Sequence, residues 1–201
     1  LRESVMQYPL NLSFKIMAMS PQIFVRDATG ETVCYVKQKM FKLKEAVTVF
    51  RDESKSTVLC EIKADRVIDW SAAYHFYDAN GESFGSVRRK GMRSIWKAHY
   101  DVFDEAGNHS STIQEANPMA KIGDTLLGEI PVLGLFTGYM FHPRFTLTDV
   151  TDGQPKMELK KQPAMWEGKY KLERMYDYDD VAELRGLMAF MMMCLLERRR
   201  G

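Results

Sequence analysis

Cysteine is scarce in this chain of 201 residues. Cys34, Cys60 and Cys194 are too few and too scattered for a disulfide framework, and none belongs to a C-x-x-C pair. The disulfide-stapled secreted class is thereby excluded, and a reducing, cytoplasmic setting is expected. An excess of one charge is missing too: 28 lysines and arginines meet 27 aspartates and glutamates. That balance removes the positive field behind non-specific nucleic-acid binding, so no nucleic-acid partner is expected and any basic site must be local. Long apolar runs are also wanting. The uninterrupted stretch Leu187 to Leu196 has ten residues, whereas a bilayer span takes about 20. No transmembrane span is expected, and Leu1 to Leu10 has no signal-like apolar run. The length suits one well-filled domain over residues 1–201.

What is present is an internal repeat. "IFVRDATGETVCYVKQK" from Ile23, "VFRDESKSTVLCEIK" from Val49, "HFYDANGESFGSVRRK" from His75 and "DVFDEAGNHSSTIQE" from Asp101 each read as an alternating run, an aspartate, a short polar turn and a second run. Asp27, Asp52, Asp78 and Asp104 recur every 25 or 26 residues, and Gly30, Gly81 and Gly107 follow three residues after their aspartates. Such D-x-x-G turns suit a type I turn closed by a left-handed residue. Lys55 replaces the glycine in the second copy, so that turn is expected to differ. "FTLTDVTDGQPKMELKK" from Phe145 is a fifth copy with one extra turn residue before Gly153.

Five hairpins make ten strands. Alternation supports them: Val58, Cys60 and Ile62 share one face, as do Trp96, Ala98, Tyr100 and Val102, while Lys63, Lys97 and His99 take the other. "YKLERMY" (Tyr170 to Tyr176) reads as a further strand, and Gly128 to Phe141 can supply another. A propeller blade needs four strands where each copy supplies two, so an antiparallel meander closing on itself is the better reading.

The tail "LRGLMAFMMMCLLERRR" reads as one helix from about Asp180 to Arg199. Asp180 with Glu183 forms a capping box, Asp177 and Asp179 add charge at the positive end, and Arg198 to Arg200 sit at the negative end. With no polar stripe between Leu187 and Leu196, the helix must be surrounded on all sides, by lipid or by protein. Its length favours protein. Twelve strands ~4.8 Å apart and tilted ~40° give a backbone radius of roughly 12 Å, enough for a helix on the axis. The expected fold is a closed antiparallel barrel of about twelve strands around a C-terminal core helix.

This organisation resembles the tubby C-terminal-like superfamily, nearest to the LURP-one-related proteins and more distantly to phospholipid scramblases. The resemblance is carried by Ser20 to Phe50, "YHFYDANGE" (Tyr74 to Glu82), "WKAHYDVFDEAG" (Trp96 to Gly107) and the terminal helix. It implies the helix-threaded barrel just described. For function it implies candidates only, since tubby domains bind phosphoinositides, scramblases are tied to lipid movement and calcium, and a fold alone does not carry an activity across.

"GESFG" (Gly81 to Gly85) spells the G-x-S-x-G nucleophile elbow, but that chemistry needs a strand-to-helix turn and here Ser83 opens the second strand of a hairpin. His75, His99, His109 and His142 lack zinc-ligand spacing. "YDYDDVAE" (Tyr176 to Glu183) corresponds to the segment proposed to bind calcium in scramblases, yet it lacks the length and central glycine of an EF-hand loop, and helix capping accounts for its acids. No catalytic residue, cofactor or metal site is therefore expected. "SVRRKGMRSIWK" (Ser86 to Lys97) is the densest basic stretch away from the termini. Arg88, Arg89, Lys90, Arg93 and Lys97 flank a turn at Gly91, where they can converge on an anionic headgroup. Val36 to Lys44 is a second, weaker basic stretch. The expectation is a non-enzymatic binding module for an anionic lipid headgroup or a protein partner, cytoplasmic or peripheral at a membrane. The alternatives are a scramblase-like lipid-translocating protein and an enzyme of unrecognised class.

Overall fold

The computed structural model describes residues 6–15, 22–37, 46–66, 72–90, 98–116, 143–164, 168–177 and 179–198. The strands in chain order are β1 (Leu10–Lys15), β2 (Gln22–Arg26), β3 (Thr32–Lys37), β4 (Ala46–Phe50), β5 (Val58–Ala64) and β6 (Ala73–Asp78). They continue as β7 (Ser83–Arg89), β8 (His99–Phe103), β9 (His109–Glu115), β10 (Arg144–Asp149), β11 (Pro155–Gln162) and β12 (Gly168–Arg174), followed by helix α1 (Asp180–Arg198). Each strand pairs antiparallel with the next, and β1 pairs with β12 to close the barrel. The five repeats are the hairpins β2–β3, β4–β5, β6–β7, β8–β9 and β10–β11. The twelfth strand is β1, which lies outside the repeats; Gly128 to Phe141 falls outside the described residues.

The hairpins share one construction. Each carries a register shift just before its turn, between Val25 and Arg26, Val49 and Phe50, Phe76 and Tyr77, Val102 and Phe103, and Leu147 and Thr148. The aspartate supplies the turn's internal acceptors: Asp27 Oδ1 accepts from the amides of Thr29 and Glu31, and Asp78 Oδ1 from those of Asn80 and Glu82. As expected, the Lys55 turn differs: the amide of Arg51 donates to Thr57 O six residues on, whereas those of Asp27, Asp78 and Asp104 donate to carbonyls four residues on. Lys55 still adopts φ +59°, and its amide donates to Asp52 O at 3.2 Å as that of Gly30 does to Asp27 O at 3.1 Å. The four-residue hydrogen-bond frame outweighs the ~1–2 kcal/mol that a side chain costs in the left-handed region.

α1 is enclosed by the barrel. Every residue from Glu183 to Leu195 is buried. Leu187, Met188, Ala189, Phe190 and Met191 share one core with inward residues such as Leu12, Cys60, Phe76 and Tyr100. Flexible thioethers fill the space between helix and wall, as at the 3.4 Å contact of Met188 Sδ with Cys60 Sγ. The cap is displaced by one residue from its expected place: Asp179 Oδ2 accepts from the Ala182 amide at 3.0 Å, and α1 begins at Asp180. Glu183, buried, pairs with Arg174 at 3.3 Å instead of reaching back to the cap. A buried carboxylate takes a guanidinium over a backbone amide because the charge needs a counter-charge.

Candidate functional site at the β7–β8 corner

Strand alternation divides the basic stretch at its root. Val87 and Arg89 point into the barrel, whereas Arg88 and Lys90 are exposed on the outer wall. Arg89 Nε stands 3.6 Å from Glu197, and the same carboxylate accepts from Tyr100 Oη at 2.6 Å. These contacts tie the last turn of α1 to β7 and β8, with a cation at the helix's negative end. Arg88 lies over the Phe103 ring, its guanidinium carbon 5.7 Å from the ring centroid. Arg93 and Lys97 fall outside the described residues.

Beside Arg88 the sheet assembles a group that sequence spacing did not reveal. Asp101 Oδ1 lies 3.3 Å from His99 Nε2, 3.5 Å from His109 Nε2 and 3.9 Å from Lys90 Nζ. His99 and His109 are ten residues apart in the chain, but β8 and β9 are paired and bring them to one carboxylate. His109 Nε2 also lies 3.1 Å from the carbonyl of Ser111. A carbonyl only accepts, so this hydrogen bond forms in the tautomer that carries the proton on Nε2. Among the described residues no three His, Cys, Asp or Glu side chains are arranged to hold an ion.

The other end of the barrel gathers the hairpin turns and the start of α1. A cavity of about 120 Å³ opens there between Ser110, Ser111, Lys156 and Arg185. Lys156 is bound to Asp152 at 2.7 Å. Arg185 donates through Nε to Phe84 O at 2.6 Å and pairs through Nη2 with Glu105. Its stem crosses Gly85, whose φ is +137° and where a Cβ would stand 2.8 Å from Arg185 Cδ. The second glycine of "GESFG" therefore makes room for an arginine. The first lies in a strand-to-strand turn, so the nucleophile-elbow geometry is not formed. Arg185 and Glu197 were missed in the sequence, although a lone cation one turn into an apolar helix, at the end where the dipole disfavours it, is a signal of an internal partner. The acids before α1 are committed to the cap and to Arg174. The thiols serve packing: burial pushes Cys34 up to about 12 and raises Cys60 as well, so both stay protonated and inert.

The profile of the LURP-one-related family matches residues 15–126, more than half of the chain, from the end of β1 through β9 and beyond. The chain belongs to the LURP-one-related family. A crystal structure of an Arabidopsis thaliana protein is similar over 92% of this chain and 90% of its own, at 11% identity and a TM-score of 0.49. No curated protein sequence matches significantly. In this LURP-one-related chain, no helix among the described residues is long and apolar enough to cross a membrane.

Proposed function

We propose that this LURP-one-related barrel is a non-enzymatic binding module that recognises an anionic, phosphate-bearing headgroup at the β7–β8 corner. The observation that carries the reading is Arg88. It is exposed, it rests on the face of Phe103, and it has no ion pair among the described residues. A guanidinium carried over an aromatic ring offers its fork of N–H donors to phosphate oxygens. Lys90 adds a second exposed cation next to it, and Arg93 and Lys97 in the β7–β8 connection extend the basic stretch. Arg89 supports the corner from inside by fixing β7 to α1. The neighbouring carboxylate of Asp101 lies within 4 Å of Lys90 and of two imidazoles.

The test is co-sedimentation with phosphatidylcholine vesicles containing a phosphoinositide, at low and high salt. Binding that weakens with salt and is lost in Arg88→Glu/Lys90→Glu, with thermal unfolding unchanged, supports the reading. Unaltered binding of that variant removes the corner as the site. Salt-insensitive association accompanied by transfer of labelled lipid between leaflets would favour the scramblase-like alternative instead.

A further inference from the structure

The antiparallel closure of the barrel sorts the charges of this nearly neutral chain to its two ends. The five hairpin turns and the β12–α1 connection all emerge at one end. Residues 26–32, 50–58, 78–83, 103–109, 149–156 and 174–185 hold fourteen acidic residues against six basic ones. At the other end, Lys15, Lys37, Lys90, Arg144, Lys161 and Lys169 terminate or adjoin strands around the ring, and all six are exposed. Asp65 and Glu115 are the acids at these described strand ends. Lys37, Lys161 and Lys169 make no ion pair among the described residues. Strands of about six residues tilted ~40° separate the two ends by roughly 15 Å, beyond the ~8 Å screening length at physiological salt. An approaching surface therefore senses one end and not the average.

Resting on the anionic-ligand reading of Arg88, we infer that the ligand is the anionic face of a bilayer, on which the barrel stands end-on, with the acidic turn end directed away. A single headgroup in a corner needs only the β7–β8 cations. It gives no reason for exposed lysines on β3, β11 and β12, which begin four strands away from β7 in either direction around the barrel. A plane of negative charge engages the whole ring at once. The acidic end is repelled by the same plane, and this fixes the orientation. Tryptophan placement favours a bilayer over an acidic protein: Trp70, Trp96 and Trp166, the only three in the chain, all fall in sequences that join strands at the basic end. Tryptophan is among the side chains that settle at a membrane interface.

The experiment uses the full chain and phosphatidylcholine vesicles with roughly one-third phosphatidylserine, where each cation at the surface contributes about five-fold in partitioning. Lys37→Glu/Lys161→Glu/Lys169→Glu alters the far side of the ring, across a barrel roughly 24 Å wide, so a corner pocket would not sense it. End-on docking predicts a loss of about 100-fold or more in this variant and a comparable loss in Arg88→Glu/Lys90→Glu. It also predicts quenching of tryptophan emission by brominated phospholipid in the parent protein. Parent-like binding by the far-side variant, with loss confined to Arg88→Glu/Lys90→Glu, overturns end-on docking and leaves the corner site standing. Binding without quenching likewise overturns it. No binding of the parent to these or phosphoinositide vesicles at low salt overturns both readings.

Discussion

Replacing Gly85 with alanine is the most demanding test of how α1 is held in the barrel. At this position the backbone has φ +137°, and a Cβ would stand 2.5 Å from Phe103 O and 2.7 Å from Arg185 Nε. Holding an L-residue in so sparsely populated a region costs about 1–3 kcal/mol. Forcing a methyl group into filled space costs about 1–3 kcal/mol more. If Arg185 withdraws to relieve the clash, it gives up its bond to Phe84 O, and a hydrogen bond to a charged group is worth about 1.5–3 kcal/mol. Relief of one cost reduces another, so the net loss expected is about 3–6 kcal/mol, equivalent to roughly 10–20 °C in Tm for a domain of this size. Thermal and urea unfolding of the purified variant measure it. Gly81→Ala is the control, since its φ is +85° but nothing lies within 4 Å of the added atom, and it should lose only ~1–2 kcal/mol. Adding Arg185→Ala to Gly85→Ala should cost less than the two separate losses combined by at least ~1 kcal/mol, because the two side chains compete for one space. A Gly85→Ala protein within ~0.5 kcal/mol of the parent would refute the contact between β7 and Arg185.

Two further outcomes follow from the interior and from the turns. Met191 is fully buried on α1, and Met191→Asp should prevent folding, because an unpaired buried carboxylate takes most of the ~5–15 kcal/mol a domain has in reserve; a cooperative unfolding transition near the parent's would contradict this. The hydrogen bond from the Thr29 hydroxyl, with the turn amides, holds the Asp27 carboxyl below its ordinary 3.8. Its stabilising effect is therefore complete above that value and is lost as pH falls through the lower folded midpoint. A carboxyl-carbon NMR titration should place the midpoint under 3.8, with Thr29→Val moving it upward; a midpoint at or above 3.8 would show that the turn does not hold Asp27 as described.

Much of the architecture was legible in the linear chain, because its determinants are local. A D-x-x-G turn is a short-range device whose aspartate and left-handed residue lie three apart, so each copy announced its hairpin. A helix apolar on every face requires a shell, whatever the shell is. β1 lacks an aspartate turn of its own and gains its identity only by pairing with β12 and β2, which a local pattern cannot show. The longer turn at Lys55 was signalled by the missing glycine, although lysine still takes the left-handed position there.

The site was less legible. Composition and spacing located the basic stretch but could not say which of its members face outward, and alternation about the β7–β8 pairing sends Arg89 to Glu197 while leaving Arg88 on Phe103. Asp101 meets His99 and His109 only because β8 and β9 are neighbours. Arg185 meets Gly85 across a sequence separation of one hundred residues. The same holds for charge: the chain by itself is almost neutral, and its lysines and aspartates alternate in ordinary fashion along it. Turns and crossovers alternate too, so an antiparallel barrel collects every acidic hairpin turn at one end and the cationic strand ends at the other. The sequence alone determined which residues turn, which alternate and which must be enclosed, since those depend on neighbours a few residues away. Only the closed barrel decided which charges stand together, because that depends on strand pairing and on a distance between ends longer than the reach of screened electrostatics.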